Sequence, residues 1–224
     1  MNKPLEQYGV DIGARRSDDL DRLLLEEVAS LKISQEKVTV ANGGSGGPRQ
    51  SVLMSEKGAH VTSVDILDYG EEYEMKRIKF CQSHISEWVK EQEKSGNIYD
   101  LSVLQRVIHY LPFQQAQDLL MSLRNITEQK LFISVSGIES AIGDYYEHKN
   151  LPIQDRFCKL EPEGQEKFSI TEPVFLYSEE EFINLLTDTG WRVEKVWSSA
   201  FGNYKAVCVP ENQVTDKDIS GEQR

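Results

Sequence analysis

Residues 38–66 read VTVANGGSGGPRQSVLMSEKGAHVTSVDI. Residues 38–41 are an apolar run of strand length that empties into Asn42-Gly43-Gly44-Ser45-Gly46-Gly47, where missing side chains let backbone pass close to a ligand. Pro48 suits the first position of a helix, because its absent N–H has no partner there. Val52, Leu53 and Met54 are expected to face inward, and Gly58 stands where a left-handed helix end belongs. Residues 60–64 give a second strand, with Asp65 at its carboxyl tip. Strand, glycine loop, helix, strand and acid together put a backbone cradle and a carboxylate at the switch point of an open parallel sheet. Such sheets bind their ligands there.

Two nucleotide motifs compete for this loop. The dinucleotide fingerprint begun at Gly44 needs Gly or Ala where Arg49 stands, and a P-loop needs a Lys-Ser/Thr pair that is missing. The stretch instead resembles the cofactor motif of class I S-adenosylmethionine-dependent methyltransferases, an acid-x-Gly-x-Gly-x-Gly loop with a second acid after the next strand. Gly44 and Gly46 match the second and third glycines, and Asp65 the acid that holds the ribose hydroxyls. Val40 replaces the first acid and Asn42 the first glycine. Asn is among the residues that best tolerate positive φ.

The resemblance implies S-adenosyl-L-methionine as cofactor, with the backbone around Asn42, Gly43, Gly44 and Gly46 against its methionine portion. Asp65 and Ile66 would stand at the ribose and adenine, and His84, in the place of the family's adenine-binding Asp, would join Ile85 there. Gln105 would reach the methionine or the sulfonium surroundings. His109 is the candidate general base, with Tyr145 and Tyr146 as contacts from a cover. The departures at Val40, Asn42 and His84 leave a second reading open, a catalytically silent relative that binds a nucleoside or a protein partner.

The chain has 224 residues, 39% hydrophobic, enough for one sizeable core. Its 25 Lys and Arg against 37 Asp and Glu give a net charge of −12, which repels nucleic acid and anionic membrane and favours a neutral or cationic small-molecule acceptor. Cys81, Cys158 and Cys208 form neither a disulfide framework nor a metal motif, and the four histidines have no ligand spacing, so no metal is expected. Reduced cysteines and the lack of a leader or spanning segment point to the cytoplasm. A homodimer is compatible with all of this.

Residues 1–16 read as an irregular arm, and the family commonly covers its cofactor with such a segment, giving Tyr8 and Arg15-Arg16 a lid role. Ser17 is expected to cap a helix with Leu20, Leu23, Leu24, Val28 and Leu31 on its buried face, residues 1–35 together forming arm and helix. Only ten residues separate residues 65–67 from a third strand over 78–82, room for one or two helical turns. Ser86 is expected to cap the next helix, which ends at Gly96. Residues 99–104 form a central strand, an amphipathic helix with Ala116, Leu119, Leu120 and Leu123 at helical spacing runs beyond Pro112, and residues 130–136 form a fifth strand. Residues 137–177 are an insertion expected to form a substrate cover, its aromatics arguing against disorder. Ser178 and Glu181 spell a capping box, and residues 191–209 a hairpin closed at Gly202. The resemblance implies this ending. The whole is expected to be one α/β domain over residues 1–210, a three-layer structure around a seven-stranded, mostly parallel, doubly wound sheet with a C-terminal antiparallel hairpin, followed by a polar tail over 211–224.

Overall fold

The computed structural model describes Tyr8 and residues 18–211. Its first helix, α1 (Asp19–Ser34), is capped by Asp18, whose side chain accepts from the N–H groups of Leu20 and Asp21 while the Asp21 carboxylate reaches back to the Asp18 N–H. Ser17 lies outside the described residues; Asp18 takes the cap because its carboxylate answers two of the unpaired donors of the first turn. There follow β1 (Val38–Gly43), α2 (Arg49–Glu56), β2 (Ala59–Asp65), α3 (Gly70–Lys76), β3 (Lys79–Gln82), α4 (Ile85–Lys94) and β4 (Tyr99–Gln105). Then come α5 (Phe113–Asn125), β5 (Thr127–Ser136), α6 (Pro162–Phe168), α7 (Glu179–Asp188), β6 (Trp191–Ser198) and β7 (Asn203–Pro210).

The seven strands lie in the order β3-β2-β1-β4-β5-β7-β6. The first five run parallel, while β7 pairs antiparallel with both β5 and β6. Strand order reverses between β1 and β4, the switch point beyond whose carboxyl ends doubly wound sheets seat their ligands. β4 is buried along nearly its whole length, as a central strand covered on both faces must be.

Two apolar layers enclose the sheet. Leu20, Leu24 and Val28 of α1 and Met54 of α2 pack with Val40, Leu101 and Phe132 on one face. Trp88 of α4, Leu119 and Leu123 of α5 and Phe182 and Leu186 of α7 pack with Ala41, Leu104 and Ile133 on the other. The insertion has a third cluster of its own, from Tyr146, Leu160, Ile170, Val174 and Leu176. Its 137–177 span is thereby ordered by apolar burial and punctuated by three 3-10 turns and α6. Arg156 ties it to α7: its guanidinium donates to the Leu176 carbonyl and to both oxygens of Glu181. Ser178 and Glu181 do form the capping box, and α3, with seven residues, fits the short crossover expected.

Two helix starts differ from expectation. Pro48 precedes α2 as its cap rather than opening it, and Ser51 and Met54 rather than Val52 and Leu53 are its buried residues. His84 caps α4 in place of Ser86, accepting the Ser86 N–H on Nδ1 at 3.3 Å.

Candidate functional site

The glycine loop leaves β1 in a conformation few side chains allow. Gly44 and Gly46 have φ of 61° and 55°, and a Cβ added at Gly44 would sit 2.2 Å from Cγ2 of Val107. The loop is held down by the Ser45 N–H on the Val64 carbonyl, 3.1 Å, and the Gly46 N–H on Asp65 Oδ2, 2.9 Å. The other carboxylate oxygen accepts the Leu67 N–H at 2.9 Å, so two backbone bonds fix the acid at the tip of β2, directly against the loop. The expected pairing of glycine cradle and carboxylate is thus one continuous structure.

The two departures from the family motif point away from this crevice. Asn42 is the fifth residue of β1, outside the left-handed region, so its position needs no glycine. Its side-chain amide donates to Ser51 Oγ at 3.0 Å, and Ser51 meets Ser63 at 2.7 Å, a buried polar cluster pinning α2 to the sheet beneath the loop. Val40 is fully buried in the apolar layer under α1 and α2. Neither replacement removes a group from the ligand side.

Around the cradle, Ile85 and Leu104 pack against Gly43, and Ile66, 47% exposed, stands open beyond Asp65. His84 has its Nδ1 taken by the Ser86 N–H, and Nε2 is its remaining ring nitrogen. Gln105 ends β4, and its amide donates at 2.8 Å to Oδ1 of Asp21, which also takes the Gln50 amide at 2.6 Å. Asp21 is 7% exposed, a buried carboxylate joining α1 to the ends of β4 and α2. Sequence reading found only its favourable place in the first turn of a helix.

His109 lies in a 3-10 turn after β4, fully buried, its ring 4.2 Å from that of Tyr110. Neither ring nitrogen has a partner. Burial, and then the Arg106 charge, hold it well below the usual histidine range, so the ring is neutral at pH 7. Tyr110 donates to the Tyr8 carbonyl at 2.5 Å and meets its ring edge-on at 5.0 Å; Tyr8 in turn pairs antiparallel with Ile170 of the insertion. Burial, Glu172 and Asp65 raise the Tyr8 hydroxyl above its usual range. Tyr8 thus meets Tyr110 and the insertion, while Arg15 and Arg16 lie outside the described residues.

Tyr145 and Tyr146 are not brought to His109 by hydrogen bonding. Tyr145 takes Lys167 at 3.1 Å and reaches Glu163 at 3.4 Å on the outside of the insertion. Tyr146, 1% exposed, gives its hydroxyl to the Arg156 carbonyl inside the insertion's cluster. Unpartnered buried polar atoms gather at the carboxyl edge of the sheet: Ser45 Oγ in the loop, Ser86 Oγ, Arg106 Nε, both His109 nitrogens and Ser136 Oγ. Buried polar atoms rarely stay unpaired in folded proteins. Among the described residues no group of His, Cys, Asp and Glu could hold a metal ion, and no helix is long and apolar enough to cross a membrane.

No protein-family model and no curated protein matches the sequence. Solved structures do match the fold. A Burkholderia thailandensis 1,6-didemethyltoxoflavin-N1-methyltransferase, with S-adenosylhomocysteine bound, aligns with a TM-score of 0.62 over 90% of this chain and 82% of its own, at 15% identity. The Synechocystis magnesium protoporphyrin IX methyltransferase with S-adenosylhomocysteine aligns at 0.57 over 86% and 84%, also at 15% identity. The fold is that of the class I methyltransferases. A Rhodobacter sphaeroides protein described as a putative zinc-dependent alcohol dehydrogenase aligns as well, at 0.61 over 89% and 92% with 15% identity. Likeness at this distance fixes the methyltransferase-like scaffold; activity has to be argued from the crevice.

Proposed function

We propose that the chain is an S-adenosylmethionine-dependent methyltransferase acting on a small molecule. The observation that carries this reading is the Asp65 carboxylate bonded to the Gly46 N–H, which joins the acid at the tip of β2 to the bare backbone turn after β1. Two carboxylate oxygens on a strand tip suit a pair of ribose hydroxyls, in charge-assisted bonds. Ile66, 47% exposed beyond Asp65, offers an apolar face to a purine. The cofactor's contribution is an activated methyl group on a sulfonium. With cofactor and acceptor bound, the acceptor's lone pair would take that methyl as the carbon–sulfur electron pair returned to sulfur.

The chain's own work is alignment, exclusion of water and removal of one proton. The Tyr8 arm and the insertion close the crevice from above, and neutral His109 accepts the proton of an O–H or N–H acceptor on an unpartnered ring nitrogen. Burial keeps that nitrogen unprotonated. Titration calorimetry of the full chain with S-adenosylmethionine and S-adenosylhomocysteine tests the reading. Binding of both at micromolar to sub-millimolar concentration is expected; failure to bind either at millimolar concentration overturns it. Replacing His109 with Gln is expected to slow transfer at least about 100-fold while leaving S-adenosylhomocysteine affinity unchanged.

A further inference from the structure

Three non-glycine residues have backbone in the left-handed region: Arg77 with φ 58°, Arg106 with φ 57° and Ser169 with φ 55°. Arg77 and Ser169 close the ends of α3 and α6, where a left-handed residue satisfies the last turn. Arg106 ends no helix. It follows β4 directly, at the switch point, with its N–H on the Ser134 carbonyl at 2.9 Å. Glycine takes this conformation without the steric cost that any side chain carries there.

The arginine recovers nothing for that cost within the fold. Its Nε is buried without a partner, and among the described residues no carboxylate or carbonyl takes its guanidinium. A strained backbone, a buried unpaired donor and an unneutralised cation coincide at one residue on the ligand edge of the sheet, and strain of this kind persists where function requires it. Arg106 also lies within electrostatic reach of His109 and Tyr110, the side chains that face the crevice beneath the Tyr8 arm. The five donors of a guanidinium form a planar fork that matches a carboxylate in two parallel bonds.

Building on the methyltransferase reading, we propose that Arg106 is the carboxylate-binding residue of this crevice, engaging either the methionine carboxylate of the cofactor or a carboxylate on the acceptor. Bound there, a carboxylate oxygen supplies the acceptor that Nε lacks, and the second oxygen meets the terminal nitrogens.

The full chain and its Arg106→Gly and Arg106→Met variants are titrated with S-adenosylhomocysteine, with 5′-methylthioadenosine, which lacks the aminocarboxylate, and with benzoate at saturating S-adenosylhomocysteine. Arg106→Gly is expected to melt at or above the wild-type temperature, because it releases strain and breaks no bond; Arg106→Met controls for any loosening by glycine. A loss of tenfold or more for S-adenosylhomocysteine, with methylthioadenosine unchanged, assigns Arg106 to the cofactor's carboxylate. Unchanged S-adenosylhomocysteine with benzoate binding lost in both variants assigns it to the acceptor's. Equal affinity of all three proteins for every ligand overturns the proposal. A wild type that binds neither nucleoside defeats the methyltransferase reading instead, and benzoate titrated into the protein alone still decides whether Arg106 holds a carboxylate.

Discussion

At the scale of single residues, the two departures from the glycine motif illustrate what spacing can and cannot convey. Asn42 and Val40 look like losses in a linear pattern, yet one anchors α2 through Ser51 and the other fills the layer beneath α1. Side-chain direction decides this, and a period-two strand pattern without its sheet neighbours does not reveal which face is which. Gly44 is a residue whose role was legible, and it yields a sharp test. Gly44→Ala meets both the left-handed penalty of about 1–2 kcal/mol and the overlap with Val107, so thermal melting is expected to fall by several degrees. His109 was legible as a candidate, but not its isolation from every partner. Because its folded pKa is held well below 6.5, the unfolded chain binds a proton below about pH 6.5 that the folded chain does not. Stability therefore declines as pH falls through that range, by at most about 1.4 kcal/mol per pH unit for this one group, until the folded pKa is reached. Denaturant titrations of His109→Gln are expected to show a shallower decline than wild type between pH 6.5 and 5. An equal slope would mean the ring is not held neutral.

At the scale of elements, helices and strands followed from hydrophobic period and caps, and the disagreements lie at helix starts. Ser17, Pro48 and Ser86 are all good starting residues, but Asp18 and His84 cap their helices because tertiary neighbours fix the chain entry. The insertion was recognisable as ordered from its aromatics, while the way it attaches was not. Arg156 reaches across it to Glu181 and the Leu176 carbonyl, with its side chain only 5% exposed and that of Glu181 24%. Burial pushes the Glu181 carboxyl up, but the bonds from Arg156 and the Ser178 N–H outweigh this and hold it below the usual range. Arg156→Met, which leaves that carboxylate without its partner, is expected to cost about 3–5 kcal/mol in urea unfolding. Arg156→Met should also weaken closure by the insertion, so S-adenosylhomocysteine affinity falls along with stability. A variant that loses less than about 1 kcal/mol would show that the tether is not what seats the insertion.

At the scale of the whole molecule, the seven-stranded, mostly parallel sheet and its C-terminal hairpin were legible because each parallel crossover leaves its own signature in the chain, and the antiparallel ending leaves another. Net charge informs less about the site than it does about solubility. A total of −12 averages over the surface and leaves the local charge beside the end of β4, where Arg106 stands, unspecified. Nor does the scaffold settle the chemistry, since the same sheet aligns with a protein described as an alcohol dehydrogenase. The claim on which the account turns is that Asp65 and the glycine loop together hold an adenosyl group. Calorimetric titration of wild type and Asp65→Ala with S-adenosylhomocysteine measures this directly. The account predicts binding by the wild type and a loss of more than tenfold in the variant, at least about 1.4 kcal/mol. Equal affinities in the two proteins would contradict it.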